Sequence, residues 1–355
     1  MLFRSKAPLR LGLAGGGSDV SPYSDIYGGA ILNATINMYA YASLEIAKAT
    51  GLKKGLKVEL SAVDLEAKVS HVLEDLEPLP IDGKLNLHKG VFNRILREYP
   101  QLLEPYLLTP VVVRLTTYAD ASPGSGLGTS STMVVAILGV FAEWLKLPLG
   151  EYDLARLAYE IERIELKMAG GKQDQYAATF GGVNFMEFSN NNKVIVNPLR
   201  IRKEYLNELE FNIVLYYTGT SRLSSKIIEM QANQVLAKNQ ESIEAMHKLK
   251  EQAVLMKEAL LMGRQERMGE ILDFGWQYKK QMAEGITNET IDEIYEAALR
   301  AGSTGGKIMG AGGGGFMALY CPGNTRYTVI QALTKFGGKF RRFQFTKYGL
   351  TSWKV

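Results

Sequence analysis

Ser122-Pro-Gly-Ser-Gly-Leu-Gly-Thr-Ser-Ser-Thr132 spaces three glycines over five positions and then sets hydroxyl residues at the head of an apolar run. Upstream, Pro110 to Thr117 (Pro-Val-Val-Val-Arg-Leu-Thr-Thr) is β-branched and reads as a strand. Downstream, Ser131 to Leu145 reads as an apolar helix. A strand that turns through glycines into a helix aims free backbone N–H groups and the positive helix end at one point, which suits a polyphosphate. Ser130 or Ser131 can add a hydroxyl ligand to a phosphate-bound Mg²⁺. The plainer alternative is an N-capped helix after a glycine turn, which accounts for Thr129 or Ser130 but not for the glycines. No lysine follows the last glycine, so this is not a Walker A loop.

Working outward, three more clusters, Gly12 to Gly17, Gly170 to Gly182 and Gly302 to Gly315, hold many of the chain's 36 glycines. Clustered glycine marks places where backbone approaches a ligand closely. Lys6 to Asp19 combines cations and one carboxylate on such a backbone. Arg10 can neutralise charge on a transferring phosphoryl group, and Asp19 can accept hydrogen bonds from sugar hydroxyls, with an ordinary surface turn as the alternative. Gly170-Gly-Lys-Gln-Asp-Gln-Tyr-Ala-Ala178 follows a predicted amphipathic helix, Tyr152 to Met168, that carries Glu160, Glu162 and Glu165. Asp174 there can act as base or orienting group for a hydroxyl nucleophile. The glutamates can hold Mg²⁺ or simply form a solvated face. Gly310 to Gly315 formally contains GxGxxG, but a strand-like Phe316-Met-Ala-Leu-Tyr320 follows where a dinucleotide site needs a helix. A glycine bridge packed on another backbone, or closing over the phosphate loop, fits better.

Composition bounds the rest. A chain of 355 residues, 46% apolar and 22% charged, reads as two packed globular lobes. The boundary falls near residue 210, where glycine-rich strands (Leu2 to Leu13, Ile31 to Ile46, Lys57 to Val63) give way to long helices between Ser224 and about Met282. A net charge of +4 suits anionic small molecules and does not indicate a nucleic-acid partner. Cations and aromatics do interleave from Lys335 to Lys347, but the alternation of Phe343 and Phe345 describes a strand, Phe340 to Thr346, with one buried face. One cysteine, Cys321, and the scattered His71, His88 and His247 exclude an internal disulfide and a zinc site. With no signal-like start and no apolar run longer than Met133 to Ala142, neither secretion nor a membrane span is expected, and a cytoplasmic location is.

Taken together and in order, the clusters resemble the GHMP kinase superfamily, its first motif at Lys6 to Asp19, its second at Pro123 to Ser131 and its third at Lys307 to Gly315. Ala7 to Tyr23 resembles the branch that phosphorylates the anomeric C1 hydroxyl of a heptose 7-phosphate or of L-fucose. The resemblance implies a two-lobed α/β (α+β) fold, an N-terminal ribosomal protein S5 domain 2-like lobe (1–210, ATP-binding) and a C-terminal ferredoxin-like lobe (211–355). It implies ATP as donor, Mg²⁺ as cofactor, and a small-molecule sugar phosphate as acceptor, most simply D-glycero-D-manno-heptose 7-phosphate on the way to nucleotide-activated heptose. A homodimer is left open. Residue by residue, Asp174 falls at the catalytic aspartate and Arg10 at the cation that stabilises the reacting groups. Ser130 falls at the Mg²⁺-ligating serine, and Glu162 at the Mg²⁺-ligating glutamate after a one-residue adjustment of its spacing to Asp174. ATP is expected on Pro123, Gly124, Ser125, Gly126, Leu127, Gly128, Thr129, Ser130 and Ser131. The acceptor is expected against Gly16, Gly17, Ser18, Asp19, Lys172, Gly312 and Gly313. Asp19 matches a sugar-binding aspartate of galactokinase, whose preceding Glu-His pair is here Gly16 and Gly17, an argument against galactose. For a substrate phosphate, Lys172, Arg222, Lys279 and Lys280 are candidates on charge alone. The rival expectations are a phosphomevalonate-type kinase or decarboxylase, and a catalytically silent sugar sensor.

Overall fold

The computed structural model describes residues 1–52, 54–219 and 224–355. The first part of the chain supplies strands β1 (Leu2–Ala14), β2 (Gly29–Lys48), β3 (Leu56–Ala62), β4 (Ala67–Leu73), β5 (Val111–Ala119), β6 (Val183–Phe188) and β7 (Val194–Pro198). Between them run α1 (Tyr23–Tyr27), α2 (Asn86–Glu98), α3 (Pro100–Leu108), α4 (Thr129–Leu145), α5 (Glu151–Tyr159) and α6 (Gln173–Phe180). After α7 (Lys203–Asn212) come β8 (Ile213–Tyr217), α8 (Ser224–Leu236), α9 (Gln240–Met262), α10 (Met268–Lys279) and α11 (Glu289–Arg300). The remainder is β9 (Gly305–Ile308), β10 (Phe316–Tyr320), α12 (Arg326–Leu333), β11 (Lys339–Arg341) and β12 (Thr351–Lys354).

β2 organises the first sheet, whose order is β12-β1-β2-β5-β3-β4, with β6 on the first half of β2 and β7 beyond it. All these pairings are antiparallel except β3 with β5. The sequence of β2 changes character midway. From Gly29 to Ile36 every residue is buried, whereas from Met38 to Ile46 burial alternates. A strand reads that way when layers cover both faces of one half and only one face of the other. The second half, with α2 and α4, forms one core around Leu44, Leu60, Phe92, Val135 and Phe141. The first half forms another, where Leu11, Leu32 and Ile36 pack with Ala253, Met256 and Leu272 of α9 and α10, so it joins the two lobes.

The second sheet has the order β11-β8-β10-β9, antiparallel throughout. In chain order these strands sit 4-1-3-2, the ferredoxin-like arrangement, with α8 to α11 inserted after its first strand. The strand after Gly315 is real (β10), which disposes of the dinucleotide reading.

Two expected elements come out differently. The helix predicted over Tyr152 to Met168 stops being α at Tyr159 and widens into a π turn over Glu160–Glu165. The strand predicted over Phe340 to Thr346 keeps only Lys339–Arg341. Phe343 and Phe345 instead pack edge to face at 5.4 Å, and Phe345 bridges to Ile36 in the first lobe.

Candidate active site

α4 is buried almost all round, and each fully buried Val, Ile or Phe in it contributes about 1.5–3 kcal/mol. Its flanks therefore fix its N-terminus in place. That end starts at Gly128 in the left-handed region (φ 79°), and no side chain caps it. The expected alternative, a serine or threonine N-cap, is absent, and the first turn opens on a 620 Å³ cavity between the lobes lined by Gly124, Gly126, Gly128, Thr129, Ser130 and Ser131. The alternate loop residues turn inward. Leu127 is buried and its carbonyl accepts from the Arg10 N–H (3.1 Å), while the buried Ser125 hydroxyl lies 3.3 Å from that of Thr129.

The third glycine cluster closes on this loop from the other lobe. The Phe316 N–H donates to the Ser125 carbonyl at 2.9 Å, and a methyl on Gly126 (φ 88°) would lie 2.5 Å from the Met309 carbonyl oxygen. Any side chain at Gly126 would push the lobes apart.

β1 carries Arg10 into the cleft. Its Nε and Nη2 both reach Asp174 Oδ1 at 2.7 Å, and Nη1 donates to the Gly126 carbonyl at 2.5 Å. Asp174 stands in the first turn of α6, where the helix dipole favours a carboxylate. With Oδ1 held by the guanidinium, Oδ2 faces Gly128, where an added methyl would sit 3.2 Å away. Asp19 is fully buried; it accepts from the N–H of Gln173 (3.1 Å) and of Gly17 (3.3 Å). A methyl on Gly171 would fall 1.9 Å from Asp19 Oδ2, which explains the glycine pair as the seat for that carboxylate. Burial, and then the charge of Asp174, push the Asp19 carboxyl above its ordinary value.

Glu162 hangs from the π turn into the same cavity. A π turn takes one residue more than an α turn, the size of the offset in its spacing to Asp174. Arg94 fixes the outer side of that turn through Glu160 (2.6 Å) and Glu165 (2.5 Å). Inside, Glu162 Oε2 accepts from Gln175 at 2.5 Å, while its buried Oε1 makes no hydrogen bond and has the Arg163 guanidinium 3.7 Å away. A buried carboxylate oxygen that makes no hydrogen bond and the Ser130 hydroxyl on one cavity wall are the hard oxygen donors Mg²⁺ takes alongside phosphate and water, so the residues fit the ion. No cluster of three or more His, Cys, Asp or Glu that could hold a metal occurs among the described residues.

Other expected contacts are not made. Lys172 is buried with its ammonium on Asp25 Oδ1 (2.6 Å) and Ser24 (3.3 Å), and it does not line the cavity. The Ser18 hydroxyl is spent on the carbonyls of Gly15 and Ala30. Gly312 lines the cavity but Gly313 does not, its N–H going to the Ile286 carbonyl. Lys280 lies over the Trp276 ring, and Arg222 lies outside the described residues. Lys279, in contrast, lines the cavity.

Sequence reasoning missed Lys307, Gln173 and Arg163, which also line the cavity, and the buried Gln175 behind Glu162. Lys307 escapes periodicity: β9 is wholly buried, so a lysine in it stands out only once the strand is known. Lys279 and Lys307 are both buried, donating to the carbonyls of Gly310 and Gly12 (2.9 Å for the second). Burial, and then Arg10, bring the Lys279 ammonium down to about 8, against a smaller opposing pull from Asp19. Lys307 is depressed further by burial, Lys279 and Arg10.

Comparison with known proteins bears on this geometry. Residues 86–182 match the model of the GHMP kinases N terminal domain, and 256–339 that of the GHMP kinases C terminal domain. The chain is 44% identical over 352 residues to D-glycero-alpha-D-manno-heptose 7-phosphate kinase of Campylobacter jejuni, covering 99% of each. It is similar to the crystal structure of a D-glycero-D-manno-heptose 1-phosphate kinase from Bacteriodes thetaiotaomicron, with 46% identity, a TM-score of 0.79 and 99% of each chain covered. A bifunctional fucokinase/GDP-fucose pyrophosphorylase of Arabidopsis thaliana is 24% identical over 87% of this chain and 29% of its own length.

Proposed function

Because this chain belongs to the GHMP kinase family, we propose that it transfers the γ-phosphoryl group of ATP to the C1 hydroxyl of D-glycero-D-manno-heptose 7-phosphate. The coarser statement is firm: it is a phosphotransferase with a hydroxyl acceptor, a sugar-phosphate kinase with ATP as donor. The observation that carries the proposal is the Arg10–Asp174 pair set across an uncapped helix N-terminus at the closure of the two lobes.

The triphosphate lies along Gly124 to Ser131, its charge met by the N–H groups of the first turn of α4. Asp174 orients the C1 hydroxyl through Oδ2 and takes its proton as the oxygen bonds to the γ-phosphorus and the β–γ bridging bond breaks, leaving ADP. Arg10 holds Asp174 in place and offsets charge on the transferring group. Bound at Ser130 and Glu162, Mg²⁺ would supply charge neutralisation at the phosphate oxygens. Asp19 and Gln173, whose buried Oε1 has no partner, offer acceptors to sugar hydroxyls. The catalytic elements fit a division into 1–210 and 211–355, supported by the change of sheet between β7 and β8, with β12 returning to β1.

The test is ADP release with ATP and a panel of acceptors, with the product located by NMR. Heptose 7-phosphate should be consumed and gain its phosphate at C1. Consumption of free L-fucose alone would replace the substrate, and release of CO₂ from a mevalonate-type acid would replace the reaction.

A further inference from the structure

Among the described residues four lysines are buried, and they divide into two kinds. Lys89 and Lys172 each meet a carboxylate at 2.6 Å. Lys279 and Lys307 meet only backbone carbonyls, and among the described residues no carboxylate lies within ion-pair distance of either. A buried cation without an anion is strongly unfavourable unless something else balances it. Here two of them stand together, with Arg10 close enough to depress both.

Their geometry converges on one point. A methyl group built on Gly16 would lie 3.7 Å from Lys307 Nζ and 3.9 Å from Lys279 Nζ. Gly16 lines the cavity, so that point is reachable, and a single tetrahedral anion placed there touches both ammonium groups. It belongs to the turn that presents Asp19, the side of the cleft assigned above to the acceptor. The triphosphate is already served by the uncapped first turn of α4 and the donors for Mg²⁺.

We infer that Lys279 and Lys307 form the receptor for the phosphate group that the acceptor already carries, with the bare Gly16 as its floor. The inference rests on the sugar-phosphate kinase reading and deepens it. Discrimination for a phosphorylated over a free sugar then resides in α10 and β9 of the second lobe, away from the Arg10–Asp174 pair.

Three variants test it: Lys307→Met, Lys279→Met and Gly16→Ala. The last keeps both charges and fills the floor at ordinary contact distance, at a position whose φ is not left-handed. Calorimetry would measure affinity for heptose 7-phosphate and for Mg·ADP, and scanning calorimetry the Tm. Each variant should weaken the sugar phosphate by about tenfold or more while changing Mg·ADP by less than about twofold. Lys307→Met should leave the Tm unchanged or raised, because no carboxylate is left behind. Unchanged sugar-phosphate affinity in all three overturns the inference. So does an equal loss for Mg·ADP, which would assign the lysines to the nucleotide, or a lowered Tm with both affinities intact, which would make them structural. If wild-type protein ignores heptose 7-phosphate altogether, the substrate reading fails first and takes this with it.

Discussion

The buried lysines of the first lobe and those of the cleft show two ways for a protein to keep a charge out of water. Lys172 sits between Ser24 and Asp25, and Lys89 reaches Asp82, so each brings its counter-ion along the chain. Lys279 and Lys307 have none, and burial lowers both. Arg10 is an intermediate case: buried, in the cleft, and fully paired with Asp174. A paired charge is complete in the folded chain. An unpaired one stores an unfavourable energy that a ligand can relieve, so the lack of a partner marks function.

The largest effect should come from making Arg10 resemble the lysines. Asp174→Asn removes its counter-ion and the proton acceptor together, and turnover should fall about 10²–10⁴-fold while Mg·ADP still binds. Rapid-quench measurement of a single turnover separates chemistry from product release. Unchanged turnover would remove Asp174 from the reaction.

Next comes a paired lysine stripped of its partner. Asp25→Asn leaves Lys172 buried and uncompensated, and should lower stability by about 2 kcal/mol, discounted because Asp25 is partly exposed. Burial raises the Asp25 carboxyl, but Lys172 and Ser21 outweigh it and leave it below the ordinary value. Its contribution is therefore present above the usual carboxylate range and lost as pH falls through the depressed value. Urea unfolding at pH 7 and pH 3 should show the gap between wild type and variant closing in acid. An equal gap at both would place the effect outside the ion pair. Lys307→Met, by comparison, should lose no stability at neutral pH.

How legible this contrast was in the sequence depends on the distance between partners. The glycine turn into α4 could be read because its glycines and the following apolar helix are contiguous, and the place of Asp174 on the cavity wall because it follows Gly170 and Gly171 closely. Lys172 misled because it adjoins that motif; its ammonium turns to Asp25, 147 positions away. Lys307 bonds to a carbonyl 295 positions away and sits in a strand too short to carry a pattern. The π turn was equally hidden, since Arg94 and Gln175 hold it from other helices and local propensity favours a continuous α-helix. The ferredoxin-like order of the second sheet was expected from the resemblance alone, because long helices separate its first two strands.

The smallest effect needs no substitution. Burial, and then Arg10, lower the Lys279 ammonium to about 8, with Asp19 partly opposing them, and Lys307 stands beside it. A bound phosphate raises that value, because it stabilises the ammonium. Affinity for the sugar phosphate should therefore fall as pH rises through about 8, with Lys307, depressed further, starting the decline earlier. On the acid side it should also fall below about pH 6, where the phosphate loses its second charge. The profile is a bell whose alkaline limb belongs to the cleft. If the two lysines took no part in binding the phosphate, the affinity would stay flat on the alkaline side. Calorimetric titration of heptose 7-phosphate from pH 5.5 to 10 decides between them, and a flat alkaline side would erase the distinction between the two kinds of buried lysine.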